Sequence, residues 1–488
     1  MMIKTTGFQP NLDPVVTDKA SIIDCTNLVP TNNGMKSVQQ GEKAVNNVVP
    51  DTVIAGFSQT LLDATARVFA CSLSRIYELL AGNWVDVSKT GGYATATNGT
   101  WRMCQFGNVT IAVNGTDATQ ASSVTGTFAD LAGSPPKARI CETTQGFVLL
   151  FHTNDGIETL PDGWWSSGLY DYTQWQPSTQ TQSANGRLID TPGAIVGAKQ
   201  MANAIMAYKQ NSMYLGEYVG GDVIWSWRQI SDNTGAYVHE AIVNVEGAHY
   251  FIGNNGLFRY DGSRLEPIGT LEVKEWIRGR INLDLVDKIR GFYDQKNSLI
   301  YWYYPSNSSS GDCDEALVFH TITGQFGKVT RGIKSIVNLT LPNLTWGELG
   351  ALYPTWGSWP STVQWNSPIF YGAGVGHSYF GTDNFLYKAD SGASLDSALV
   401  TGDFGDDSTH SVLNRVRMRF LKKPETASMK HQYKSGVADT LKDGVTVSMS
   451  DDKFDLTKSA RFHKATFNFT GITEVSSVDF NLTASGSR

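Results

Sequence analysis

Tyr250-Phe-Ile-Gly-Asn-Asn-Gly-Leu-Phe-Arg-Tyr-Asp-Gly262 lies at the centre of a stretch from Gly247 to Asn297, and its reading decides the fold. An apolar run, a Gly-Asn-Asn-Gly turn, a second apolar run and an Asp-Gly turn spell a short β-hairpin. Asn-Asn-Gly supplies residues that adopt φ > 0 at little cost, as a tight hairpin turn requires. The phrase returns in weaker form at Tyr379-Phe-Gly-Thr-Asp-Asn-Phe-Leu-Tyr-Lys-Ala-Asp390, with fainter echoes at 69–77 and 111–115. A hairpin recurring every few tens of residues predicts a radial array of small sheets. The middle of the chain therefore reads as a β-propeller.

Working outward, short strands and turns alternate from about 50 to 400. They group into six or seven sheets of three or four strands, many closing on Trp plus a polar residue, as at Trp84, Trp175 and Trp227. Large aromatics bridging neighbouring sheets account for that placement. The third group is read as two strands and a Trp-rich turn ending at Ser178, and Ile369-Phe-Tyr371 as the opening of the last group. One helix is predicted over 270–280, with Thr270 as cap and Val273, Trp276 and Ile277 on one face.

The expected organisation is an N-terminal arm and first strand over 1–50, an irregular propeller over 51–398, and a C-terminal β-sandwich over 399–488. The N-terminal strand either completes a sheet begun elsewhere in the chain or docks on a neighbouring subunit. Between 338 and 368 the pattern breaks, with Trp346, Trp356, Trp359 and Trp365 set among prolines and glycines. A long loop with four tryptophans is either a packed insertion contacting a partner or a segment folded back on its parent sheet. Arg415, Arg417 and Arg419 alternate with Val416, Met418 and Phe420. Their charged face either attracts phosphates or an acidic neighbouring subunit, or guards a solvated edge strand against wrong pairing.

Composition narrows the function. The 488 residues include 41% hydrophobic, 11% aromatic and only 17% charged side chains, with 48 glycines, as in a rigid, turn-rich all-β protein. A net charge of −7 argues against a general nucleic-acid binder, which needs clustered Lys and Arg. Residues 401–488 hold 13 Lys/Arg against 11 Asp/Glu, leaving 26 against 35 in the first 400, so the acidity is N-terminal. Cys25, Cys71, Cys104, Cys141 and Cys313 lack metal or disulfide spacing and read as buried thiols of a reducing compartment. No secretion signal and no apolar run long enough to cross a membrane is visible.

No catalytic, cofactor or metal site is expected. The eight histidines are scattered without HExxH, and neither a nucleophile elbow nor a phosphate loop occurs. Ser231-Asp-Asn-Thr-Gly235 loosely matches the turn repeated in sialidase propellers, but it occurs once and lacks the closing Trp. Asp406-Asp407 and Asp451-Asp452 read as solvated loop charges rather than a glycosidase pair.

Asn27-Leu-Val-Pro30, the block from Gly193-Ala-Ile195 through Tyr250–Gly256 to Asp261-Gly262, and Ile300-Tyr-Trp302 resemble a known family. It is the tail nozzle, packaged-DNA stabilisation or head-completion proteins of short-tailed bacteriophages. Thr401-Gly-Asp-Phe404 and Arg415-Val-Arg417 resemble the passage into that family's C-terminal β region. The resemblance implies a homohexameric tube below the portal and tail adaptor protein, with tail fibres or tailspikes attached to its side. Double-stranded DNA would pass through the lumen without sequence-specific contact. The protein would be made in the host cytoplasm, reside in the virion tail, and catalyse nothing. The alternative is a carbohydrate-binding or glycan-cleaving propeller acting as a host receptor module.

Overall fold

The computed structural model describes residues 2–5, 7–10, 21–124, 126–339, 355, 376–406 and 408–487. The fold is all-β, of propeller blades with a C-terminal β-sandwich. Its contacts divide it into two compact units. One comprises Lys43–His239 and Ile333–Ala389; the other comprises Met1–Glu42, Glu240–Gly332 and Asp390–Arg488. This division differs from the expected 1–50, 51–398 and 399–488.

The first unit holds five four-stranded antiparallel sheets. Sheet 1 runs Ala55–Thr60, Ala66–Cys71, Ile76–Leu80, Asn83–Asp86. Sheet 2 runs Arg102–Phe106, Val109–Val113, Gln120–Ser123, Ala129–Asp130. Sheet 3 is Lys137–Thr144, Phe147–Asn154, Thr159–Ser166, Ala184–Arg187, and sheet 4 is Ile195–Met201, Ala204–Lys209, Met213–Tyr218, Trp225–Ser231. The last, sheet 7 in chain order, is Ser335–Leu339, Gly376–Phe380, Leu386–Lys388, completed by Glu42–Lys43 from the N-terminal part of the chain.

Strand Phe147–Asn154 shows why these residues make blades. Residues 147–151 are all fully buried, an unbroken apolar run, because both faces of the strand are covered. Phe147, Leu149 and Phe151 point into the interface with sheet 4, while Val148 and Leu150 point into the interface with sheet 2. Sheet 1 repeats the device: Phe69 and Cys71 pack toward sheet 2, Val68 and Ala70 toward sheet 7. The period-2 alternation of a strand thus supplies two interfaces at once.

Indole rings join the sheets where expected. Trp164 of sheet 3 lies 5.3 Å from Trp227 of sheet 4, and Trp84 of sheet 1 lies 5.6 Å from Phe380 of sheet 7. Trp227 also covers its cross-strand partner Gly216, where a Cβ would meet the ring at 2.7 Å. The Trp-rich turn expected in the third group is found over 167–178, with Trp175, but Trp164 and Trp165 belong to the strand before it, Thr159–Ser166. Trp164 sits on its buried face, so a packing residue was taken for a turn residue. Ile369–Tyr371 lies outside the described residues.

The second unit holds one further four-stranded sheet and a four-strand run of a ten-stranded sheet, making seven blade-like groups among the described residues. Sheet 5 runs Ile242–Val245, Ala248–Gly253, Gly256–Tyr260, Leu265–Pro267, and contains the opening hairpin. Its turn is as tight as the sequence suggested: Gly253 pairs with Gly256, and of the turn residues Gly256 rather than either Asn takes the left-handed backbone, at φ +117°. Sheet 6 runs Arg290–Asp294, Leu299–Tyr304, Cys313–His320, Phe326–Ile333. The single α-helix among the described residues is Leu271–Arg280; it buries Val273 and Ile277 and sets Trp276 edge-on against Phe8 at 5.2 Å. Among the described residues no helix is long and apolar enough to cross a membrane.

The sandwich completes this unit. One sheet orders Ile22–Thr26, Ser397–Thr401, Phe462–Thr470, Thr426–Lys434, Lys442–Ser448. The other contains Lys453–Ala460, Thr409–Lys422 and Glu474–Ser487, and continues through Gly34–Ser37 and Leu28–Thr31 into sheet 6. Between them Phe404 meets Phe480 at 4.3 Å and Phe454 meets Phe467 at 5.6 Å. The N-terminal strands are therefore integral to both sandwich sheets.

Candidate functional site

Trp346, Trp356, Trp359 and Trp365, the expected contact surface, lie outside the described residues, as does Asp407. Arg415, Arg417 and Arg419 sit on Thr409–Lys422, with Val416 and Met418 buried behind them. That strand is not an edge: it pairs with Lys453–Ala460 on one side and Glu474–Ser487 on the other. The edge-guarding account is thereby corrected for Arg415 and Arg417, which pair on both flanks; Arg419 pairs with Ser477 on one flank, beyond the end of the Lys453–Ala460 ladder. Arg415 is bonded to Asp455, whose carboxyl the Arg415 hydrogen bond holds below its usual range. Arg417 and Arg419 are exposed, and among the described residues neither has an ion-pair partner.

The other motifs resolve into turn chemistry. Ser231 ends a strand and its hydroxyl donates to Asn233 Oδ1 at 3.2 Å. Asp406 Oδ1 accepts from the backbone of Ser408 and Thr409. Asp451 and Asp452 take φ of 51° and 60°, and Asp452 pairs with Lys423 at 2.8 Å. All five cysteines are buried free thiols, and burial pushes Cys25 and Cys313 up to about 12, so neither is a nucleophile.

One cavity in the second unit is a cleft of about 330 Å³, lined in part by Thr31, Lys36, Lys296, Tyr301, His320 and Asp390. It lies where the strands Leu28–Thr31 and Gly34–Ser37 meet the Asp294–Leu299 turn of sheet 6 and the end of its third strand. Asp294 shapes that turn, accepting from the backbone of Lys296 and Asn297 and from Asn297 Nδ2 at 2.6 Å. His320 Nδ1 accepts from the backbone of Ile322 and Thr323, which assigns the hydrogen to Nε2. Burial lowers its pKa. Burial away from water and then the Asp294 charge raise the Asp390 carboxyl, against the pull of Arg331, Lys296 and Lys36. Two ammonium groups, an imidazole N–H and one carboxyl make a polar recess suited to holding a small polar or anionic group. Asp294, the acid that could pair with Asp390 in catalysis, is committed to its turn. The cleft residues come from four distant segments, so no spacing in the sequence announces them. Among the described residues no three His, Cys, Asp or Glu side chains gather as metal ligands.

No family model matches the chain, and no curated protein matches it. A crystal structure of BBS1N in complex with ARL6DN, soaked with mercury, is similar at 12% identity. The match covers 66% of this chain and 99% of that one, with a TM-score of 0.36.

Proposed function

We propose that this chain is a structural tail nozzle protein of a short-tailed bacteriophage, a ring component below portal and adaptor that retains packaged DNA and conducts it during ejection. The observation that carries the reading is the double-sided burial of the blade strands, typified by residues 147–151. Strands locked on both faces by apolar side chains make a stiff wall, which a conduit under load requires. The resemblance at residues 27–30, 193–262 and 300–302 supports the same assignment. So does the acidity of the first 400 residues, since a negative lumen repels phosphates and lets DNA slide. Partners on this reading are further copies of the chain, the adaptor, and a fibre or tailspike.

The polar cleft beside Lys36 and Lys296 favours a second reading, a glycan-binding receptor module. Electron microscopy of purified virions separates the two. The nozzle reading expects this chain in a six-fold ring on the tail axis. A peripheral position, together with glycan binding by the purified chain, replaces it with the receptor reading.

A further inference from the structure

Two imidazoles meet inside the sandwich. His431 and His463 are fully buried, with His431 Nε2 3.0 Å from His463 Nδ1. The other nitrogen of His463, Nε2, faces the carbonyl oxygen and the hydroxyl of Ser411, each at 3.2 Å, and that hydroxyl donates to the Ala460 carbonyl at 3.4 Å. With the hydroxyl's hydrogen spent on Ala460, both Ser411 oxygens face Nε2 as acceptors and assign the hydrogen to that nitrogen. His463 Nδ1 is then an acceptor, and His431 donates to it from Nε2. What remains is His431 Nδ1, a bare lone pair that is buried and without a partner. It rests against Gly444, where an added Cβ would stand 2.7 Å away. Every N–H of the pair is used, and the one place left for a proton faces a glycine rather than an acceptor.

Charged groups around the pair offer that proton no counterion. Tyr433 stacks on His431 at 6.0 Å, and Phe404 on His463 at 5.8 Å. Lys458 lies over the Tyr433 ring at 4.0 Å and opposes a charge on His431. The nearby carboxylates are taken: Asp403 by Lys434 at 2.7 Å, Asp443 by Lys430 at 3.0 Å and Gln432 at 2.9 Å.

His431 also sits where the sheet is weakest. Lys442–Ser448 is a terminal strand of its sheet, almost wholly exposed, and its register on Thr426–Lys434 slips between Lys430 and Gln432. The slip places His431 against Gly444. We propose that the His431–His463 pair is an acid-operated latch on this edge strand. Protonation of His431 Nδ1 drives the ring from Gly444, frees Lys442–Ser448, and bares the Thr426–Lys434 edge for pairing with another strand. Burial, then His463 and Lys458, hold His431 at about 4, below its ordinary 6.5. The latched form binds the proton more weakly than the open one. The latch is therefore fully closed above about 6.5 and loosens as pH falls toward about 4.

The test is hydrogen exchange of the full chain at about pH 7 and about pH 4.5, corrected for the intrinsic pH dependence of exchange. The expected result is a loss of protection of about tenfold or more in residues 442–448 at the lower pH, with residues 109–113 of sheet 2 unchanged. His431→Gln can still donate to His463 but cannot titrate, so it should keep protection at both pH values. Equal protection of the wild type at both pH values, a uniform loss along the chain, or loss in the variant matching the wild type overturns the proposal. Should the variant not fold, the wild-type imidazole nitrogen resonances decide. A His431 that is still neutral at about pH 5.5 supports the latch; one already protonated there overturns it.

Discussion

The five-sheet row and the sandwich hide their strand faces in different ways. In the row, a strand such as Phe147–Asn154 is covered on both sides and carries apolar residues at consecutive positions. In the sandwich, Thr426–Lys434 and Phe462–Thr470 face one partner sheet, so their residues alternate, and the inward face includes His431 and His463, while Lys434, of opposite parity, is buried on the other face. The interior of the row is mostly apolar and resists through packing volume, with the buried Arg67–Glu78 pair of sheet 1 a local exception. The polar interior of the sandwich resists only while each group keeps its partner. The same chain thus pairs an unresponsive wall with a module that protons and single substitutions can loosen.

The largest expected effect is in the row. Trp101 is fully buried, donates from Nε1 to the Ser72 carbonyl at 2.9 Å, and meets Tyr93 edge-on at 4.7 Å. Trp101→Ala should cost about 3–5 kcal/mol in denaturant unfolding, for lost transfer energy plus the cavity. A cost under about 1 kcal/mol would mean that this interface collapses easily, against the stiff-wall account. In the sandwich, Asp403→Asn strands the buried Lys434 ammonium, whose partner oxygen is 2.7 Å away, and should cost about 3 kcal/mol. Replacing both, with Asp403→Leu and Lys434→Met, should recover most of that loss, because no charge is left buried. Failure of the double change to recover would locate the loss in shape rather than charge.

Gly216→Ala should fall below these. Its new methyl would meet the Trp227 ring at 2.7 Å, and that ring is wedged 5.3 Å from Trp164. A rigid neighbour makes the overpacking cost about 1–3 kcal/mol. A neutral outcome would show that the indole gives way, and that the sheet 3–sheet 4 joint is softer than its aromatic content suggests.

Much of this contrast was legible beforehand, and the reasons are local. Hairpins are spelled by adjacent residues, so Tyr250–Gly262 and the helix at Leu271–Arg280 could be read directly. The arginine alternation at 415–419 was equally plain, yet whether its strand is an edge depends on Lys453–Ala460 and Glu474–Ser487, far away in sequence. The strand at Thr159–Ser166 was missed because Pro161, Asp162 and Gly163 give it the vocabulary of a turn; long-range pairing with Leu149–Phe151 overrides that. The cleft joins residues near 30, 300, 320 and 390, and nothing local links them. The histidine pair left a faint signal. His431 shares its parity with Ala427 and Met429, and His463 with Ala465 and Phe467, which places both inward.

The smallest effect sharpens the contrast from outside. Arg417 and Arg419 stand on the outer face of the sandwich, two residues apart and about 7 Å from each other along the strand. The backbone of Arg417 is held from both sides and that of Arg419 by Ser477, and Val416 and Met418 anchor the strand beneath them. Changing both to alanine should leave the denaturant midpoint where it was, because exposed charges without partners hold nothing together. If the face meets an acidic neighbour or a phosphate backbone, the same double variant should instead weaken assembly, with a shallower dependence on salt than the wild type. Arg415→Ala provides the control, since its guanidinium is already bonded to Asp455. Loss of assembly in the double variant but not in the control would mark the outer sandwich face as a contact surface. Loss of fold stability in the double variant would instead make the arginines part of the sandwich's own architecture.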